Sequence, residues 1–170
     1  MLTRVGEIRG RLATGAGYGG HGGGNIPKPT QEPAHVNETW SIELPLTEKY
    51  VDYLGHVTAA AHLTLLEEAH AHWLASVVDE PEPAFVLVRV ELDYERELLL
   101  ADAPVTVRVE PVELTRSTVT VQEVMASARG PHTRARVVLV RWDRAARRSM
   151  PFGEGERRRI DVQMRRPPAG

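Results

Sequence analysis

The chain has 170 residues, no cysteine, and nearly balanced charge, with 21 Lys and Arg against 23 Asp and Glu. That length suits one domain with a substantial core, and the missing cysteine excludes disulfides, a thiolate nucleophile and a cysteine-bound metal. Interspersed charge gives no footing for nucleic acid, and no apolar run reaches membrane-spanning length. The N-terminus lacks the apolar core of a secretory signal, so the cytoplasm is the expected compartment.

Residues 1–36 read as a disordered tail. Gly15 to Gly24 is dominated by glycine, and Pro27, Pro29 and Pro33 follow. Such sequence buries too little apolar surface to offset its ordering entropy. It contains Gly15-x-Gly17-x-x-Gly20, but a dinucleotide-binding loop needs a strand before it and a helix after it, and neither pattern flanks the run.

A single ordered domain is expected over residues 37–152. Between Thr39 and Thr47, Trp40, Ile42, Leu44 and Leu46 alternate onto one face, which predicts a strand. A helix follows over about Ala59 to Val77, with Leu63, Leu66, His70, Trp73, Leu74 and Val77 on one stripe. Pro81 and Pro83 close it. Period-two patterning then predicts four strands: Phe85 to Tyr94, Val105 to Val112, Ser117 to Ala126, and Thr133 to Trp142. Short links between the later ones give an antiparallel meander. The Arg-, Gly- and Pro-rich sequence beyond Arg144 reads as loose, with residues 153–170 a C-terminal tail.

One helix cannot cover both faces of a five-stranded sheet. The order of elements therefore gives an α+β domain with the helix laid across the concave face of a curved sheet. Val88, Val90 and Leu92 alternate with charged residues on a strand at or near a sheet edge, where pairing or protection is needed.

The stretch most charged with chemistry is Tyr50-Val-Asp-Tyr-Leu-Gly-His-Val-Thr-Ala-Ala-Ala-His-Leu-Thr-Leu-Leu-Glu-Glu-Ala69. Asp52 stands three residues before a turn glycine, Gly55, and the turn opens the helix. The first N–H groups of a helix lack internal partners and carry the positive end of its dipole, so an oxyanion can be held there. By residue type alone Asp52 is equally a turn or helix-start aspartate, and Gly55 a plain turn glycine.

The whole stretch resembles the signature of the hotdog-fold acyl-CoA thioesterases of the 4-hydroxybenzoyl-CoA thioesterase type, commonly Asp-x-x-Gly-His-Val-Asn-Asn followed by a Leu-Glu-Glu-Ala-Arg-like helix. The likeness extends over about Trp40 to Pro151, with Val88-Arg-Val-Glu-Leu-Asp-Tyr94 and Val112-Glu-Leu-Thr-Arg-Ser-Thr-Val119 also similar. It implies a five-stranded antiparallel sheet wrapped around one long helix. It implies that Asp52 is the catalytic carboxylate, acting as nucleophile or as general base for water. Gly55 forms the turn, and the backbone amide of Ala59, seven residues after the aspartate, faces the thioester oxygen. His56, Val57 and Thr58 would shape the pocket. Arg116 and Ser117 occupy a turn that approaches coenzyme A in the resembling enzymes. No cofactor is implied, and sites built between subunits imply a homodimer or homotetramer.

Thr58-Ala59 departs from the frequent Asn-Asn pair, and His62 stands near the usual aromatic. Glu67, on the flank of the helical stripe, is the reserve catalytic carboxylate; Glu68 points outward. His70 reads as a hydrogen-bonded core or interface residue. His62 or His70 with Glu67 forms no metal triad. No serine sits in a Gly-x-Ser-x-Gly elbow. Arg129, Arg134 and Arg136 are either phosphate contacts or solvated arginines. The function implied is hydrolysis of an acyl-CoA thioester to a carboxylic acid and coenzyme A. The rivals are a non-enzymatic acyl-thioester binding module and a thioesterase acting on acyl carrier protein.

Overall fold

Valine-rich period-two segments form the sheet, and the longest 3.6-period segment forms the helix that lies on it. A computed structural model of the protein describes residues 39–78, 80 and 83–164. The elements in chain order are β1 (Ser41–Leu44), α1 (Ala59–Val78), β2 (Phe85–Tyr94), β3 (Val105–Leu114), β4 (Thr118–Ser127), β5 (Gly130–Asp143), β6 (Arg148–Ser149) and α2 (Glu154–Met164). Short 3₁₀ turns lie at Glu48–Tyr50 and Leu100–Asp102. The expected tail over residues 1–36 lies outside the described residues, as do 165–170.

The strands pair antiparallel in the order β1-β3-β4-β5-β2, and β6 adds two residues against the end of β5. Strand alternation gives this sheet one apolar face. Val105, Val107 and Val109 on β3, Val119, Val121 and Met125 on β4, and Val137 and Leu139 on β5 are all essentially inaccessible. Against them α1 buries Leu65, Leu66, Ala69, Trp73, Leu74 and Val77. This is the hotdog arrangement, an α+β fold in which the curled sheet holds one long helix.

The buried stripe is turned relative to the sequence expectation. Leu63 is only half-buried, and Leu65 takes the central place. The inward positions run 62, 65, 66, 69, 70, 73, 74 and 77, a 3.6-residue period that leaves Leu63 on the flank. The same rotation reverses the two acids, since Glu67 is exposed and Glu68 is the half-buried one.

Val88 also departs from expectation. The β2–β5 register shifts between Leu87 and Arg89, so Val88 is an extra, bulged residue. The bulge changes the parity of the strand. Phe85 and Leu87 before it, and Leu92 and Tyr94 after it, all pair with inward residues of β5. Val86, Val88 and Val90 stay exposed along this edge strand.

The C-terminal stretch 153–170 is not loose throughout. Residues 154–164 form α2, which packs on α1 and β3 with Ile160 fully buried. Composition hid it because its arginines look solvated. They instead cap other elements: Arg159 Nε donates to the Val77 carbonyl at the end of α1 (2.6 Å), and Arg157 donates to the Thr115 carbonyl (2.6 Å). Lone carbonyls at a helix C-terminus favour such cations. Trp73 Nε1–H donates to Gln163 Oε1 (2.8 Å), and buried Arg141 pairs with Glu156 (3.2 Å) and Glu80 (2.8 Å).

If α2 belongs to the fold, Ile160→Ala opens a cavity in a fully buried site. Urea unfolding should show a loss of roughly 2–5 kcal/mol. An unchanged midpoint would detach α2 from the cooperative unit.

Candidate active site

The turn before α1 is held by one carboxylate. Asp52 Oδ1 accepts from the backbone N–H of Leu54 (2.9 Å) and of His56 (3.1 Å). The Asp52 N–H donates to the His56 carbonyl, and the Gly55 N–H to the Asp52 carbonyl. Gly55 closes the turn at φ +84°, a left-handed conformation that a Cβ disfavours. Thr58 then caps the helix: its Oγ1 accepts from the Ala61 N–H at 3.2 Å, and its carbonyl takes the first intrahelical bond from His62. The N–H groups of Ala59 and Ala60 stay outside that ladder.

A second wall faces this helix start. Val57 N–H donates to the Leu98 carbonyl, and His56 bridges to Leu99, so the loop after β2 is stitched to the Asp52 turn. Between them lies an open groove of about 380 Å³. His56, Val57, Ala59 and His62 line one side, and Tyr94 and residues 95–98 the other. Tyr94 meets the His62 ring edge-on at 5.2 Å.

The loop wall is braced from behind. His132 is fully buried, and its Nδ1–H donates to the Glu97 carbonyl at 2.8 Å. A carbonyl only accepts, so in the neutral ring Nε2 accepts from the Ser127 hydroxyl (2.7 Å). Arg129 forks onto Asp102 (2.6 and 2.7 Å) and reaches the same Glu97 carbonyl (3.1 Å). That guanidinium holds the Asp102 carboxyl below the usual carboxylate range. The Glu97 side chain, so positioned, meets His56 Nε2 at 3.2 Å.

Two further polar pairs join α1 to the sheet. His62 Nδ1 shares a hydrogen bond with Thr133 Oγ1 at 2.5 Å, and burial, with His132 nearby, lowers its pKa. His70 Nδ1 lies 3.1 Å from Glu123 Oε1, on a carboxylate buried so completely that its pKa rises. Glu123 Oε2 has no hydrogen-bond partner.

The structure gathers Asp52, Gly55, His56, Val57, Thr58 and Ala59 in one turn and helix start; His56, Val57 and Ala59 line the groove, while Asp52, Gly55 and Thr58 stand behind that lining. Glu67 is exposed on α1 and does not line the groove. Arg116 and Ser117 sit in the β3–β4 turn, whose carbonyls bond Phe152 and Arg141 at the opposite end. Ten residues of strand separate the ends by about 30 Å, so one protomer does not bring these two groups to its own groove. Arg134 and Arg136 are paired with Glu95 and Glu113. Glu97, Tyr94 and His132 were not legible as site residues. They lie 42 or more positions from Asp52, and only strand pairing brings them near.

Among the described residues, no three His, Asp or Glu side chains converge as a metal cluster. No helix among them is long and apolar enough to cross a membrane.

A family model described as Thioesterase-like superfamily matches residues 46–160. No curated protein matches the sequence significantly. Among solved structures, a thioesterase from Thermus thermophilus, complexed with coenzyme A and Zn, is 28% identical. Its TM-score is 0.65, over 75% of this chain and 95% of that one. A hypothetical protein from Staphylococcus aureus in complex with CoA gives 0.72 at 16% identity, over 82% and 92%. A 1,4-dihydroxy-2-naphthoyl-CoA thioesterase from Synechocystis gives 0.61 at 18% identity, over 73% and 96%.

The lowered pKa of His62 has a stability consequence. Folding favours its neutral ring, so its contribution is present above the unfolded value near 6.5 and is lost as pH falls through the lower folded value. The stability gap between wild type and His62→Asn should therefore narrow between pH 8 and pH 5. A gap independent of pH in chemical denaturation would contradict this.

Proposed function

We propose that this chain, which belongs to the thioesterase-like superfamily, hydrolyses an acyl-CoA thioester to a carboxylic acid and coenzyme A. One observation carries the reading: a turn held by a carboxylate sets the first residue of α1, Ala59, and its backbone N–H beside the groove. A thioester carbonyl becomes an oxyanion on attack, and donors already in place lower that barrier most. The amide of Ala59 is the oxyanion donor in this reading, with Gly55 giving the turn its shape. Asp52 is the catalytic carboxylate. Its Oδ1 is committed to the amides of Leu54 and His56, which leaves Oδ2 for the acyl carbon. His56, Val57 and Thr58 shape the acyl end of the pocket. Two of the neighbours described above are complexed with coenzyme A, which supports that carrier as the substrate's leaving group.

Assembly follows from the edge. Val86, Val88 and Val90 are exposed on β2, an edge strand whose outer side has no strand partner among the described residues. Such a strand is a template for another chain. We place a second copy there, as a homodimer or a dimer of dimers. In that assembly the coenzyme moiety is met by Arg116 and Ser117 of a neighbouring copy, since one protomer holds them at the far end from its groove.

The turn role of Asp52 Oδ1 favours one rival, a binding module in which the aspartate only shapes the loop. Asp52→Asn separates the two. With Asp52 in the chemistry, thiol release across a panel of short, long and aromatic acyl-CoAs should fall roughly a hundredfold or more while ligand still binds. Undiminished hydrolysis would remove Asp52 from the mechanism, and binding without hydrolysis by wild type would favour the module. Light scattering at micromolar concentration should give a dimer or larger species; a fully active monomer would contradict the shared edge.

A further inference from the structure

We infer that His56, oriented by Glu97, is the general base for the hydrolytic water in a two-step reaction, a reading that rests on the thioesterase function above. Both residues line the groove with Ala59. His56 Nε2 stands 3.2 Å from Glu97 Oε2. A carboxylate only accepts, so Nε2 carries a proton, and in the neutral ring Nδ1 offers its lone pair. A base whose far nitrogen is held by an acid is the arrangement that activates a nucleophile.

The backbone on each side is fixed, so the pair meets without search. The His56 N–H donates to Asp52 Oδ1, and its carbonyl accepts from the Asp52 N–H. The Glu97 carbonyl is clamped by His132 and Arg129. Half-exposed polar pairs of this kind add little to stability, so the fold has small need of this one. Exposure instead admits water. The charged groups facing His56 are Asp52 on its own turn, Glu97 from the loop after β2, and Arg129 from the β4–β5 hairpin, 3.9 Å from Glu97 Oε1. Glu95 and Arg96 stand in the groove wall, and His62 faces it from α1.

The base role divides the work. Asp52 Oδ2 attacks the acyl carbon, the C–S bond breaks, and an acyl–aspartyl anhydride forms as coenzyme A leaves as thiolate. His56 Nδ1 then takes a proton from water while the water oxygen bonds the same acyl carbon. The acyl–oxygen bond to Asp52 breaks, which frees the carboxylic acid and restores the carboxylate. The imidazolium proton passes to the thiolate through solvent. Glu97 accepts the Nε2–H and steadies the imidazolium, as a positioning residue.

Pre-steady-state thiol release tests this on full-length protein. His56→Ala should release about one thiol per active site at near wild-type rate and then turn over roughly a hundredfold slower or worse. Added imidazole should restore the slow phase, and the acid limb of the wild-type kcat profile should vanish. Glu97→Gln should lower kcat with KM unchanged and alter the same limb. Asp52→Asn should give no burst. Wild-type turnover by His56→Ala would overturn the proposal, and so would loss of its burst along with its turnover, or failure of imidazole to rescue. A wild type that hydrolyses no acyl-CoA would instead sink the thioesterase reading, and this proposal with it.

Discussion

The packing of α1 against the valines of β3, β4 and β5 is the contact on which the other features depend. Trp73, Leu65 and Leu66 are wholly inaccessible there. Each side chain of that size contributes about 1.5–3 kcal/mol when fully buried. Small Ala61 and Ala69 on the same face let the helix approach the sheet closely. Once the helix is pinned along its length, its first turn has a fixed address. Thr58, the Asp52 turn and the open amides arrive at the groove because residues a dozen positions further on are buried. α2 secures the other end through Ile160 and the Arg159 cap on Val77.

Polar pairs set into that apolar contact act on register rather than on strength. His62 with Thr133 and His70 with Glu123 each tie one turn of α1 to one strand position. A helix rotated or slid by one residue would leave these groups buried and unpaired, which costs more than the bonds gain. Glu123 shows the limit of the device, because burial keeps its proton on more readily and one of its oxygens goes unmet. A mismatch of this kind is tolerable only in a frame held elsewhere.

Most of the frame was legible because it obeys simple periods. Phe85 to Tyr94 and the start of α1 fall where alternation and the glycine turn put them. The resemblance drew attention to Asp52, and the structure builds a closed turn around that residue. Three things were hidden. The Val88 bulge adds one residue without altering composition. α2 carries a single fully buried side chain, so its helical signal is faint. Glu97 reaches His56 only because β2 pairs with β5 and returns its loop to the helix start. Local pattern carries no trace of such long-range neighbours.

The bulge at Val88 also bears on how copies can add. A straight, uninterrupted edge would accept strand after strand and invite open-ended stacking. Here the ladder is broken near the middle of β2, and its twist is locally increased. A second copy run antiparallel about a two-fold axis near Val88 would set each break opposite its counterpart. Such a contact uses up both edges at once. In the proposed dimer the apolar margin would close on itself, and a sticky border would become a terminus for growth.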